Sequence, residues 1–234
     1  TQRTALTGSG RPAAMSENRL EAVAWDLDGV IADTADYHYR AWRDVFKKRG
    51  VTYTRAEFMP YFGRRHDAII KAVLGDRLPQ KELDAITNAK QLNYRRRVAG
   101  HIKGLPGAVL LIKSIHDHGI KQAIASSAVP ENIDLIIRGL GIADCFQAIV
   151  GGMEVKEGKP SPQIFLLAAA KLKVRPADCL VIEDAIAGVA AAKLAGMKCL
   201  AVTNSHPKAA LKAADLVVNS LEKISVVDLQ KLFS

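Results

Sequence analysis

The chain predicts an α/β architecture, a doubly wound parallel sheet with helices on both faces, interrupted after its first strand by an all-helical unit. Three observations predict it. From residue 101 onward short apolar runs alternate with helical patterns, the rhythm of strand–helix crossovers in a parallel sheet. Those runs are apolar throughout rather than alternating, as strands buried on both faces require. Residues 36–100 show only amphipathic helical patterns. The core is therefore expected at residues 20–35 and 101–234, with the helical unit, a cap, at 36–100.

Val23-Ala24-Trp25 is the first buried strand, and it delivers Asp26, Leu27, Asp28 and Gly29. A strand that stops near Asp26 places both carboxylates at its carboxyl end, where open α/β sheets bind ligands. Like charges this close repel, so a cation or a shared proton must compensate. Over these residues alone an Asp-rich turn reads the same, because Asp-Gly is itself a turn signal. Beyond Thr34 the period becomes helical: Tyr37, Ala41, Val45 and Phe46 recur at three-to-four spacing up to Gly50. Further helices are expected near Arg55–Tyr61, from Asp67 to Leu74 and from Gln80 to Val98, with breaks at Gly63 and Gly75.

In the core, Leu105-Pro106-Gly107 opens a helix through Ile115, closed at Gly119. Ile120–Ala125 is a strand ending in Ser126-Ser127, Glu131–Leu140 a helix, and Ala148–Val150 a strand. Ser161-Pro162 marks a helix start, with serine as N-cap and proline in the first helical position. Cys179–Ile182 is a strand delivered into Glu183-Asp184, followed by a helix over Ala187–Ala195. Lys198–Val202 and Leu216–Val218 are the last strands, and residues 225–233 form a terminal helix.

Composition bounds the function. With 234 residues and 49% hydrophobic content there is material for one large core and a smaller insert. No run reaches the roughly 18 apolar residues of a membrane span. Residues 1–14 lack the apolar stretch of a signal peptide. They read as a disordered tail, native or artificial, reaching to about residue 19, with Met15 as a native start. Cys145, Cys179 and Cys199 are odd in number, lie in apolar company and have no metal-type spacing. Reduced buried thiols in a cytoplasmic protein are expected. The net charge of +9 is concentrated: residues 37–100 hold 15 Lys/Arg against 6 Asp/Glu, and the rest of the chain balances at 18 each. A basic insert on a neutral body suits a phosphorylated substrate, a nucleic acid or a solvated helical face.

The polar groups at strand ends narrow this further. Asp26/Asp28, Ser126/Ser127, Lys159 and Glu183/Asp184 can converge at one edge of a doubly wound sheet. Together they compose a phosphoryl-transfer set. An ionised carboxylate can attack phosphorus and form an aspartyl-phosphate. Its approach to a phosphate dianion demands compensation, which Mg²⁺ on oxygen ligands and the Lys159 ammonium would supply. Ser126 adds a hydroxyl donor, and Gly29 lets the backbone come close to the transferring group.

On these motifs the sequence resembles the haloacid-dehalogenase-like (HAD) phosphotransferase superfamily. Asp26-Leu27-Asp28-Gly29-Val30 matches its first motif, Ser126 its second, Lys159-Pro160 its third and Glu183-Asp184 its fourth. The match runs in order over residues 22–220, with the helical insert where a C1-type cap belongs. The resemblance implies a Rossmann-like core, Asp26 as nucleophile and Asp28 as general acid/base. It implies Mg²⁺ held by the Asp26 carboxylate, the Asp28 carbonyl, Asp184 and Glu183. A second aspartate also speaks for phosphate-ester chemistry over dehalogenation, because an alcohol leaving group needs a proton.

Asp33 through Trp42, including Thr34 and His38, is similar to the start of the β-phosphoglucomutase-like subfamily. There a histidine equivalent to His38 and a cap lysine, matched by Lys90 four residues before Tyr94, position the acid/base aspartate. An Asp28–His38–Lys90 chain formed on closure would suppress hydrolysis. Where the subfamily carries a distal-phosphate arginine, this chain has His66, preceded by Arg64 and Arg65, a pair able to clamp a second phosphate. Val129 falls where a phosphate-contacting lysine belongs. The resemblance implies a Mg²⁺-dependent phosphotransferase on a small sugar phosphate, first as a β-phosphoglucomutase and alternatively as a sugar-phosphate phosphatase. A monomer with no membrane or nucleic-acid partner is expected. A non-catalytic basic binding module is the remote alternative; it leaves four motifs without a role. His116 and His118, lacking a third ligand, and the Arg95–Arg97 run are expected at the surface.

Overall fold

A computed structural model describes residues 19–234; the tail expected over residues 1–19, but for Arg19, lies outside the described residues. The strands are β1 (Ala22–Trp25), β2 (Lys121–Ala125), β3 (Ala148–Val150), β4 (Cys179–Glu183), β5 (Lys198–Val202) and β6 (Leu216–Val218). They form one sheet in the order β3-β2-β1-β4-β5-β6, and every pairing is parallel. Between β1 and β2 the chain makes α1 (Ala35–Lys47), α2 (Arg55–Phe58), α3 (His66–Leu74), α4 (Gln80–Val98) and α5 (Ala108–Asp117). The later helices are α6 (Pro130–Gly139), α7 (Gln163–Leu172), α8 (Ile186–Leu194) and α9 (Val226–Gln230).

The uniformly apolar strands have the physical reason the sequence suggested. Val23, Trp25, Ile124, Leu180, Ile182, Leu200 and Val202 face α5, α6 and α9 in one core layer. Their neighbours Ala22, Ala24, Ala123, Ala125, Val181 and Ala201 face α7 and α8 in the other. Both faces are covered, so both sets of alternate residues are apolar, save Gln122 on β2, which is buried and accepts from Trp25 Nε1 at 2.9 Å. The second layer is rich in alanine, which lets its helices lie close to the sheet. Each large side chain buried in these layers contributes about 1.5–3 kcal/mol.

Residues 35–98 are helical, apart from short connections, and pack a cluster of their own. It comprises Trp42, Val45, Phe46, Tyr53, Phe58, Phe62, Ile69, Ile70 and Ile86. This insertion sits over the carboxyl edge of the sheet, where β1 lies between β2 and β4. That is the switch point of a doubly wound topology, and it opens a crevice. The Asp26 N–H still donates to Ile182 O at 3.0 Å, so Asp26 is held at the strand tip.

One expected helix start differs. Pro162, not Ser161, is the N-cap of α7, and it makes no side-chain capping bond. Ser161 belongs instead to the turn that brings Lys159 round, with its N–H donating to Gly158 O at 3.1 Å.

Candidate active site

The loop after β1 is tightly wound. Gly29 N donates to Ala32 O at 3.0 Å, and the N–H groups of Ile31 and Ala32 both reach Leu27 O. Gly29 has φ +89°, and a Cβ there would collide with the Asp184 carboxylate. The glycine is thus required by a neighbouring carboxylate as well as by the turn.

Lys159 joins two strand tips. Its Nζ donates to Asp26 Oδ1 and to Glu183 Oε1, both at 2.5 Å, and all three side chains are buried. The other Glu183 oxygen accepts the backbone N–H groups of Asp184 and Ala185, each at 2.8 Å. Glu183, expected among the metal ligands, thus also fixes the lysine and the turn, and its Oε1 keeps a lone pair beyond the bond from Lys159. α8 packs against it without clearance: a Cβ on Gly188 would overlap the Glu183 carboxylate. A Gly188→Ala variant should therefore lose about 1–3 kcal/mol of stability, with a matching loss of turnover as Glu183 is pushed off Lys159. Thermal melting and turnover on one preparation check this.

Asp28 has a different set of partners. Thr34 is the N-cap of α1 but makes no capping bond, because its hydroxyl donates to Asp28 Oδ1 at 2.5 Å. One turn later His38 Nε2 reaches the same oxygen at 3.1 Å. Behind it, Lys90 Nζ stands 2.7 Å from His38 Nδ1. Asp28, held ionised, can only accept, so the imidazole proton sits on Nε2, directed at it, and Nδ1 accepts from Lys90. Lys90 is fully buried, between the rings of Trp42 and Tyr94 at 5.5 and 5.0 Å. Tyr94 in turn stacks on His38 at 4.0 Å.

The charges follow from burial. Burial raises the Asp26 carboxyl to about 7. Lys159 offsets this only in part, while Glu183 and Asp28 add to it. Asp184 is pushed well up by burial, then by Glu183 and Asp26. Burial opposes the Lys159 charge, but the two carboxylates outweigh it and hold its pKa above the ordinary value. Burial would also raise Asp28, yet His38, Thr34 and Lys90 together hold it below the usual range. Burial lowers Lys90 to about 7. The lobe around Asp26 thus carries more buried carboxylate than ammonium, an imbalance a cation corrects.

Among the described residues no three His, Cys, Asp or Glu side chains form a ready metal cage. The donors at hand are the Asp28 carbonyl and the carboxylate oxygens of Asp26, Asp184 and Glu183 that these bonds leave unsaturated. Mg²⁺ takes one or two carboxylates, retains waters and prefers such oxygens, so the set fits it.

Two spaces meet at Asp26. One, of only about 30 Å³, is lined by Asp26, Asp28, His38, Trp42, Arg64, His66, Lys90, Ser126 and Ser127. That is room for a water or two. The other, of about 310 Å³, opens past Lys159, Glu183, Asp184, Arg64 and His206. Ser126 is buried, and its Oγ accepts from Ala128 N at 3.1 Å, leaving its proton free for the cleft. His66 lies against the Gln91 side-chain amide at 3.1 Å. Arg65, expected beside Arg64 as a phosphate clamp, lines neither space; its guanidinium goes to the carbonyls of Val155 and Lys156.

Two polar residues were missed by the sequence reading. Ser205 donates to Asp184, and Asn204 Nδ2 donates to Gly29 O at 2.9 Å. The signal was present, since both follow the carboxyl end of β5 just as the predicted residues follow their own strands.

A family model described as haloacid dehalogenase-like hydrolase matches residues 20–196. The chain is 35% identical over 214 residues to a β-phosphoglucomutase of Bacillus subtilis, covering 88% of this chain and 92% of that one. It is 50% identical over 199 residues to a bifunctional riboflavin kinase/FMN phosphatase of Arabidopsis thaliana, covering 84% of this chain but 52% of that protein. A crystal structure of β-phosphoglucomutase from Clostridium difficile superposes with a TM-score of 0.83 at 31% identity, over 92% of this chain and 97% of that one.

Proposed function

The chain belongs to the haloacid dehalogenase-like hydrolase family and is an enzyme of its phosphatase or phosphomutase kind; from that premise we propose that it transfers a phosphoryl group of a small sugar phosphate through an aspartyl-phosphate on Asp26. Ionised Asp26 attacks phosphorus while Lys159 neutralises charge on the phosphoryl oxygens and Ser126 donates its hydroxyl. Asp28, ionised at rest, takes a proton from the incoming hydroxyl and returns it to the leaving oxygen. Thr34 and His38 both hold Oδ1, which leaves Oδ2 for that exchange. Asp26, Asp184 and the Asp28 carbonyl would hold Mg²⁺, which supplies charge compensation to the attacked phosphoryl group when bound.

The reading the geometry supports best is a β-phosphoglucomutase, converting β-glucose 1-phosphate to glucose 6-phosphate. The observation that carries it is the continuous chain Asp28–His38–Lys90. A mutase must keep its acid/base away from water while a bisphosphate turns over. His38 on α1 and Lys90 on α4 belong to the helical insertion, so closing that cap over the sheet edge engages Asp28 and fills the space in front of it. Hydrolysis of a sugar phosphate is the second reading, favoured by what faces the nucleophile from the insertion. Burial holds His66 well below its ordinary pKa, and Arg65 points elsewhere, so Arg64 is the cation left for a second phosphate.

Incubation with β-glucose 1-phosphate, Mg²⁺ and a trace of glucose 1,6-bisphosphate separates the two. The expected product is glucose 6-phosphate with no free phosphate. Rapid release of inorganic phosphate removes the mutase assignment and leaves the phosphatase. The same reading places the enzyme in the cytoplasm, where the buried free Cys145, Cys179 and Cys199 stay reduced.

A further inference from the structure

We propose that Arg65 is a positioning residue that latches the helical insertion onto the loop carrying Lys159, so that closure and placement of the lysine are one event. The inference rests on the role given to Lys159 above. Arg65 is the residue that enters α3, directly between Arg64 and His66, which line the cleft. Its Nη1 donates to Val155 O at 3.2 Å and to Lys156 O at 3.1 Å, across some 90 residues of sequence.

The receiving loop has no regular structure to hold it. Between β3 and α7 the backbone of residues 151–162 forms only turns and bends, yet it must deliver Lys159 to within hydrogen-bond reach of two buried carboxylates. Its polar groups are held from both sides. From the core, Gln163 Oε1 accepts the N–H groups of Lys156 and Glu157 at 3.0 and 3.3 Å. From the insertion, Arg65 takes the carbonyls. Lys156 is therefore held by its N–H from the core and by its C=O from the insertion. The contact is also shaped: a Cβ on Gly158, the residue before Lys159, would stand 2.9 Å from Arg65 Cδ. A charged donor on two carbonyls is among the stronger hydrogen-bonding arrangements. Asp67, 3.4 Å from Arg65 Nε, steadies the side chain from its own helix.

A surface arginine that merely decorated its own helix would not tie two units together, and this distinguishes the experiment. Arg65→Met and Arg65→Lys are made in the full chain, and both are read by amide hydrogen exchange and by turnover of p-nitrophenyl phosphate. In Arg65→Met, exchange at Lys156 and Glu157 and exchange across the start of α1 around His38 should accelerate together. Turnover at saturating substrate should fall about tenfold, the scale of a lost charged hydrogen bond, with an unchanged melting temperature. Arg65→Lys, which keeps one donor, should recover part of both. Faster exchange in the 155–158 loop alone, or unchanged turnover with unchanged exchange, overturns the latch. Coupled acceleration of exchange in Arg65→Met, with no turnover even in the unmodified chain, keeps the latch and instead removes the phosphotransfer reading.

Discussion

An Asp26→Asn variant will lose phosphoryl transfer by about 10⁴-fold or more and, in EDTA at pH 7, will melt higher than the unmodified chain. The loss follows from chemistry, since an amide nitrogen or oxygen in that place cannot serve as an anionic nucleophile. The gain follows from electrostatics. Asp26 shares a buried lobe with Glu183 and Asp184 against the single ammonium of Lys159. Its carboxyl is raised from 3.8 to about 7, so the folded chain keeps a proton that the unfolded chain releases. A group of that kind contributes stability at low pH and loses it as pH climbs through the folded value. Asparagine does not ionise, so the advantage of the variant is absent below pH ~4 and grows toward pH ~7. The amide oxygen can still accept from Lys159, which preserves the local geometry. Melting curves of both proteins between those pH values give the test; a variant that is less stable at every pH contradicts the charge imbalance.

Removing the ammonium is expected to have the opposite effect on stability. Lys159→Met leaves Asp26 and Glu183 buried without the donor that each contacts at 2.5 Å. Breaking a buried pair from one side costs about 3–5 kcal/mol. Turnover should fall by on the order of 10³-fold as phosphoryl charge loses its partner. Lys159 is what draws the raised Asp26 carboxyl down, so without it Asp26 stands further above its unfolded value. The destabilisation therefore grows as pH rises and shrinks as pH falls and Asp26 protonates. The double variant Asp26→Asn/Lys159→Met should recover part of the stability, because one of the stranded carboxylates is then neutral. Urea unfolding at pH 5 and pH 7.5 measures all three. A Lys159→Met protein with unaltered stability at both values would show that the ammonium is not the counter-charge of this lobe.

What could be read along the chain was what depends on local periodicity and on the ends of elements. The apolar runs at Val23–Trp25 and Cys179–Ile182 declare buried strands because both faces of a parallel strand are covered, and polar residues just beyond them declare the ligand edge. Asp26, Asp28 and Ser126 were read that way, and Lys159 from the loop that follows a strand. Tertiary structure decided the partners. Lys90 follows Ile86 and precedes Tyr94 and Val98 at four-residue spacing, a core position. Lysine there looks solvated until α1 brings His38 against it. Glu183 met Lys159, and Arg65 turned to backbone carbonyls, because which donor meets which acceptor depends on packing between segments far apart in sequence. Residue type sets what a side chain can donate, accept or ionise to; only the folded neighbourhood sets how many of those capacities are already spent.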